Sequence, residues 1–216
     1  MSPRAYNLGK RQEPIEAARQ QVLDAARRLL GGTASYTAFT VDAVARQADV
    51  ARATVYYQFG SKTGLLEAVC DHLADIGGLA GLAEVFTDPD PRQALRRFVA
   101  CFGEFWAADR PAMRRLRALA LLDPDVGAVI AARDQRRQQG LTVLAARLTG
   151  APPAGPGLDG TVRTLMTLTS FETFDTLAGP DQEITAAVPE IVLLAEAALG
   201  LADNRPYGQR GQAGRA

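Results

Sequence analysis

The stretch Phe39–Ala68, FTVDAVARQADVARATVYYQFGSKTGLLEA, decides the fold. Val41, Val44, Ala45 and Ala48 recur at i, i+3, i+4 and i+7, the spacing of one buried helix face, and predict a helix from about Val41 to Ala48. Thr40 stands just ahead of it as an N-cap. Gln47 to Val50 break the period, and Asp49 falls where the chain turns through a left-handed conformation that Asp tolerates better than most residues. A second helix starts near Ala51. Val50, Val55 and Phe59 seal its inner side, which leaves Arg52, Ala53, Thr54, Tyr56, Tyr57 and Gln58 to look outward or sideways. An outward Tyr-Tyr pair flanked by Arg and Thr is unusual on a solvated helix. Two short helices meeting at a tight turn, followed by these tyrosines and Lys62, form a helix-turn-helix suited to duplex DNA.

In such a unit the helix from Ala51 enters the major groove, where side chains distinguish base pairs, while its neighbours hold phosphates and fix the register. Arg52 and Thr54 are the candidates for base edges. Arg binds guanine through two parallel hydrogen bonds, and Thr offers thymine a hydroxyl and a methyl. Lys62 places a charge at the opening of the next helix, where free backbone N–H groups also favour a phosphate. The Thr40 hydroxyl and the Val41 amide begin the supporting helix and reach toward the same backbone. The alternative for Tyr56 and Tyr57 is packing against the first helix, and for Lys62 a solvated surface charge.

The segment from about Ile15 to Val69 resembles the DNA-binding domain of the TetR (tetracycline repressor) family, with Thr40, Val44, Ala45, Ala48, Val50, Thr54, Val55, Tyr56, Tyr57, Phe59, Lys62, Leu65 and Leu66 at matching positions. Two positions depart from the pattern: Asp49 where the family usually has Gly, and Ala51 where it commonly has Ser. The lost cap costs on the order of 1 kcal/mol. The resemblance implies that Tyr56, Tyr57 and Gln58 meet phosphate and sugar. It also implies an all-α architecture, with an N-terminal three-helix helix-turn-helix domain and a larger helical ligand-binding and dimerisation domain. The corresponding plan is a flexible basic arm over residues 1–12, the DNA-binding domain over 13–62, the helical domain over 63–202 and a disordered tail over 203–216.

Composition sets the bounds. The 216 residues are 47% hydrophobic and 22% charged, the balance of a globular chain with an adequate core. No run of 18 apolar residues suggests a membrane span, and MSPRAYNLGKRQEP lacks the apolar centre of a signal peptide, so a cytoplasmic protein without membrane association is expected. Cys70 and Cys101 form no CxxC pair, and His72 is the single histidine, so neither a disulfide, a metal nor a cofactor is expected. Net charge is zero, but its distribution is uneven. Residues 1–62 hold nine cations against five acids, so a basic end precedes an acidic body.

Further along, helices are predicted from Ile15 to Leu30, stopped by Gly31-Gly32, and from Ser61 to Gly77-Gly78. Others are predicted at Pro91–Ala108, Pro111–Leu122, Pro124–Leu148, Leu158–Ala178 and Asp181–Leu201. Asp90-Pro91 and Asp123-Pro124 pair a capping acid with a proline at the first helical position. Arg133, Arg136 and Arg137 are expected on an exposed side, and GAPPAGPG (Gly150–Gly157) reads as a loop.

Useful specificity needs two helix-turn-helix units, supplied by a homodimer on a near-palindromic site. Val162, Leu165, Met166, Leu168 and Thr169, with Ile191, Val192, Leu194, Ala195, Ala198 and Leu199, offer the apolar surface for a four-helix bundle between two copies, or else for an intramolecular core. The aromatic cluster Phe98, Phe102, Phe105, Trp106, Met113, Leu116, Phe171 and Phe174 reads equally as core or as the lining of a pocket. As a pocket, with Arg117, Glu172 and Thr173 as its nearest polar anchors, it suits a small hydrophobic effector. The family resemblance implies a repressor released by such an effector. An enzyme is the rival reading, and a helical scaffold that never touches DNA is another. The sequence holds no nucleophile elbow, phosphate-cradling loop or metal spacing, and the one histidine, His72, has no identifiable relay. Glu172 and Asp175, three apart on one helix face, are better read as a solvated or salt-bridged pair.

Overall fold

The computed structural model describes residues 9–32, 39–152 and 158–201, with the backbone alone over 9–13. The basic arm is thus described only from residue 9, and the tail over 203–216 and part of the Gly150–Gly157 loop lie outside the described residues. Among these residues the structure is helical, with eleven α-helices and two short 3-10 turns. Their contacts divide the described residues into two compact units, one made of those up to Ala80 with Phe105–Asp134, the other of Gly81–Glu104 with those from Gln135 onward. Residues 63–80 and 105–134 fall in the same unit as α2 and α3.

The first unit contains α1 (Gly9–Gly31), α2 (Val41–Gln47), α3 (Arg52–Phe59), α4 (Lys62–Ile76) and α7 (Arg110–Leu122). Helix α1 starts six residues ahead of Ile15, so residues 9–12 of the expected arm are helical. It is the hub, touching α2, α4 and α7. Val22, Ala25, Ala26 and Leu30 of α1 are buried, as are Val44 and Ala45 of α2, Val55 of α3, Leu65, Leu66, Val69 and Leu73 of α4, and Met113 and Leu116 of α7. Two arginine contacts and an ion pair tie α1 to α7. Buried Arg115 donates to the Leu29 carbonyl at 3.2 Å and to that of Gly32, groups left open by the end of α1. Arg27 meets Asp109 at 2.5 Å, and Asp109 also caps α7 by accepting from the Ala112 amide. Asp24 lies 3.2 Å from the Nε2 of His72.

The second unit contains α5 (Leu82–Thr87), which follows a 3-10 turn at Leu79–Gly81, and α9 (Leu158–Leu168), α10 (Phe171–Ala178) and α11 (Val188–Ala198). Two further helices, α6 (Pro91–Ala108) and α8 (Pro124–Thr149), contribute residues to both units. Both acid-proline starts cap as expected: Asp90 accepts from the Arg92 amide at 2.9 Å, and Asp123 from those of Asp125 and Val126. The predicted Leu158–Ala178 helix is instead two helices. The chain is extended at Ser170, whose hydroxyl accepts from the Thr173 amide and restarts the helix. Arg137, expected exposed, is buried for a related reason. It donates to the Met166 carbonyl freed by the break, at 3.0 Å, and to Thr169 Oγ1 at 2.9 Å. Arg133 is half-buried against Asp71, and Arg136 alone of the three is exposed. The predicted Asp181–Leu201 helix is also shorter. A 3-10 turn at Ile184–Ala187 leads into α11, with Pro189 in the first turn where a missing N–H costs little.

Cys70 is buried, and burial pushes its thiol up to about 11, as an inert thiol requires. Cys101 is half-buried and its thiol is raised for the same reason.

Candidate nucleic-acid interface

The helix-turn-helix forms as its residues dictate. Thr40 Oγ1 accepts from the Ala43 amide at 3.1 Å and starts α2, and Asp49 takes φ 53° at the turn. The Val50 amide returns to the Ala45 carbonyl at 3.0 Å, and Gln21 of α1 donates to the Ala48 carbonyl at 2.6 Å. Gln21 thus braces the turn from outside the motif, a role no local pattern reveals. Ala51 starts α3 with no side-chain cap. At the other end Ser61 Oγ accepts from the Gly64 amide at 2.9 Å and starts α4.

Most of the outer face of α3 is open. Tyr57 is 81% exposed and Tyr56 38%, so neither tyrosine packs in the interior. Arg52 and Ala53 are exposed, and Thr54 is half-buried. Arg52 is arranged by its own neighbours: it donates to the Tyr56 hydroxyl at 3.2 Å and meets Asp42 at 3.2 Å. Both contacts raise its pKa, the Tyr56 hydrogen bond foremost. Val41 is buried, so its side chain serves the core.

Two expected contacts are engaged within the chain. Half-buried Gln58 turns to α1, donating through Nε2 to the Ile15 carbonyl at 3.3 Å, so it is a brace for α3 in this structure. Arg19 completes that brace, donating to the Gln58 carbonyl at 3.4 Å with its guanidinium 4.6 Å from the Phe59 ring centre. Lys62 Nζ lies 2.5 Å from Asp123 Oδ2 and 3.9 Å from Asp125. That hydrogen bond holds the Asp123 carboxyl below its ordinary value.

The junction of α3 and α4 depends on Gly64. A Cβ there would collide with the Phe59 carbonyl oxygen, a backbone atom that cannot swing aside. Gly64→Ala should therefore cost about 1–3 kcal/mol, the range for inserting a methyl where there is no room, read as a lower urea midpoint. An unchanged midpoint would show that the turn relaxes freely.

The aromatic cluster is divided between the two units. Phe98, Phe102, Phe171 and Phe174 belong to the second, each at most 5% exposed, and Phe98 packs 4.8 Å from Phe102 and edge-on to Phe86. Phe105, Trp106, Met113 and Leu116 belong to the first, where Arg117 is tied to Asp134 at 2.9 Å. An open, polar depression of about 580 Å³ in the first unit is lined by Asp24, Arg27, Arg28, Gly31, Gly32 and Asp109, and by none of these aromatics. Of the residues assigned to a dimer surface, Val162, Leu165, Ile191 and Ala195 are buried within the chain itself. Their burial comes from α9 and α11 packing on each other. Leu194 and Ala198 stay exposed and Met166 half-buried.

Comparison with known proteins converges on the same segment. Residues 22–69 match the family model described as bacterial regulatory proteins, tetR family. The chain is 33% identical over 100 residues to the HTH-type transcriptional regulator BetI of Burkholderia ambifaria, a match covering 46% of this chain and 51% of that protein. It therefore spans about half the length of the curated relatives it matches. Over a longer span, a TetR-like transcriptional regulator from Rhodococcus sp. RHA1 superposes with a TM-score of 0.59 at 27% identity, covering 85% of this chain and 96% of the other. PfmR from Thermus thermophilus, a TetR family transcriptional regulator, shares the fold with a TM-score of 0.57 at 21% identity, over 81% and 97% of the two chains. These relatives are named as regulators of transcription, not as enzymes.

Proposed function

We propose that this chain is a regulator of the TetR type, and that it regulates transcription by laying α3 in the major groove of duplex DNA; the match of residues 22–69 to the family model and the shared fold support the reading. The observation that carries the reading is the open outer face of α3, with Tyr57 81% exposed beside Tyr56, Arg52 and Thr54 inside the matched segment. Arg52 and Thr54 read base edges. Tyr56, Tyr57, Lys62 and the amides at the start of α2 hold the phosphates and set the register. Ala53 is small and exposed, so it lets the helix approach the bases closely.

One such helix reads few base pairs, so the functional species is a homodimer on a near-palindromic operator. Leu194, Ala198 and Met166 are among the residues of the α9/α11 pair left to meet a second copy. The protein acts in the cytoplasm as a repressor, and a small hydrophobic effector releases it by favouring the non-binding conformation. A ligand with equal affinity for both states would shift nothing. No helix among the described residues is long and apolar enough to cross a membrane.

Anisotropy of a labelled duplex from the region upstream of the gene tests the reading. Affinity should fall steeply with salt, because phosphate contacts release counterions. Arg52→Ala should cost about 1–3 kcal/mol and relax preference at one base pair, while Tyr57→Phe weakens binding alike on all sequences. If both variants bound like the parent, α3 would not be the reading element.

A further inference from the structure

Two cations were expected to meet DNA, and the chain pairs both with its own acids. The pairs differ in kind. Arg52 and Asp42 have side chains 60% and 55% exposed, so their attraction is screened and easily exchanged. Lys62 and Asp123 are 32% and 29% exposed and 2.5 Å apart, with Asp125 beyond at 3.9 Å. Asp123 does not depend on the lysine for its place. It sits at the turn between α7 and α8 and accepts from the Asp125 amide at 3.0 Å and the Val126 amide at 3.4 Å. Lys62 is likewise placed independently, as the first residue of α4 behind its Ser61 cap. Both residues belong to the same compact unit.

An ammonium group whose charge is already met by a fixed carboxylate attracts a phosphate oxygen less than an unpaired one, even with N–H donors to spare. We propose that Asp123 is an internal competitor for Lys62, an autoinhibitory contact that holds the affinity for DNA below what the same interface would otherwise reach. The proposal rests on the DNA-binding reading above. It makes the α7–α8 turn, far in sequence from the helix-turn-helix, a determinant of operator affinity without any contact to DNA.

A double-mutant cycle tests it, using the full chain, the duplex used above and four proteins: the parent, Asp123→Asn, Lys62→Met and the double variant. Asn keeps an oxygen to cap α8, and thermal unfolding verifies that each protein is folded. Asp123→Asn should tighten binding about two- to five-fold, the worth of a partly exposed ion pair, and should have no effect when combined with Lys62→Met. Tightening of equal size in both backgrounds would mean that Asp123 merely repels phosphate at a distance, and would overturn the proposal. No tightening in either background would overturn it too, with the DNA-binding reading intact because the parent still binds. A parent that shows no salt-dependent binding would instead bring down the DNA-binding reading, and the competitor with it.

Discussion

Truncating Phe174 to alanine is expected to cost about 3–5 kcal/mol of stability, the usual toll for emptying a fully enclosed aromatic site. The ring is 0% exposed in α10, and it lies so near α6 that a Cβ on Gly103 would stand 3.2 Å from its edge. Removing it leaves a cavity that a glycine backbone on one side cannot collapse to fill. Urea unfolding should show a lower midpoint with an unchanged slope, and the melting temperature should fall by on the order of 10 °C. The same experiment separates the two readings of the aromatic cluster. A side chain lining a roomy pocket has little packing to lose, so a cost below about 1 kcal/mol would favour the pocket.

The second large effect centres on Glu196, whose side chain is only 7% exposed between two arginines of α6. Arg92 grips it with two hydrogen bonds, each 3.0 Å, and Arg96 adds a third at 2.7 Å. These bonds, Arg92 foremost, hold its carboxyl down at about 2 against an ordinary 4.5. Because the folded value is depressed, the stabilisation is complete above about pH 5 and is lost as the pH falls through 4.5 toward 2. Its size is on the order of 3 kcal/mol at neutral pH. Glu196→Gln should therefore lower stability at pH 7 by that order, and the gap to the parent should close as the pH approaches 2. A gap that stayed constant with pH would show that shape, and not charge, holds α6 to α11.

The candidate interface was mostly open to reading because its signals are local. The Thr40 and Ser61 caps, the positive φ at Asp49 and the buried Val55 and Phe59 each follow from residues within a few positions of one another. Gln58 escaped that reading because its partner, the Ile15 carbonyl, comes from a different helix. Gln21 and Arg19 escaped it for the same reason, since neither lies in the motif that it braces. That Val162, Leu165, Ile191 and Ala195 are buried within the chain itself was not legible in the sequence, because apolar periodicity reports that a face is buried, without saying against what.

What the amino-acid order determined by itself is therefore the helical class, the helix starts marked by caps and prolines, and the geometry of the turn before α3. These rest on backbone torsions and hydrogen bonds closed within a turn or two of chain. The tertiary structure alone decided the partners of the long charged side chains: Lys62 with Asp123, Arg137 with the broken end of α9, His72 with Asp24. Such side chains reach several ångströms from their own helix, so their energetics depend on which distant residue the packing of the apolar faces delivers to them.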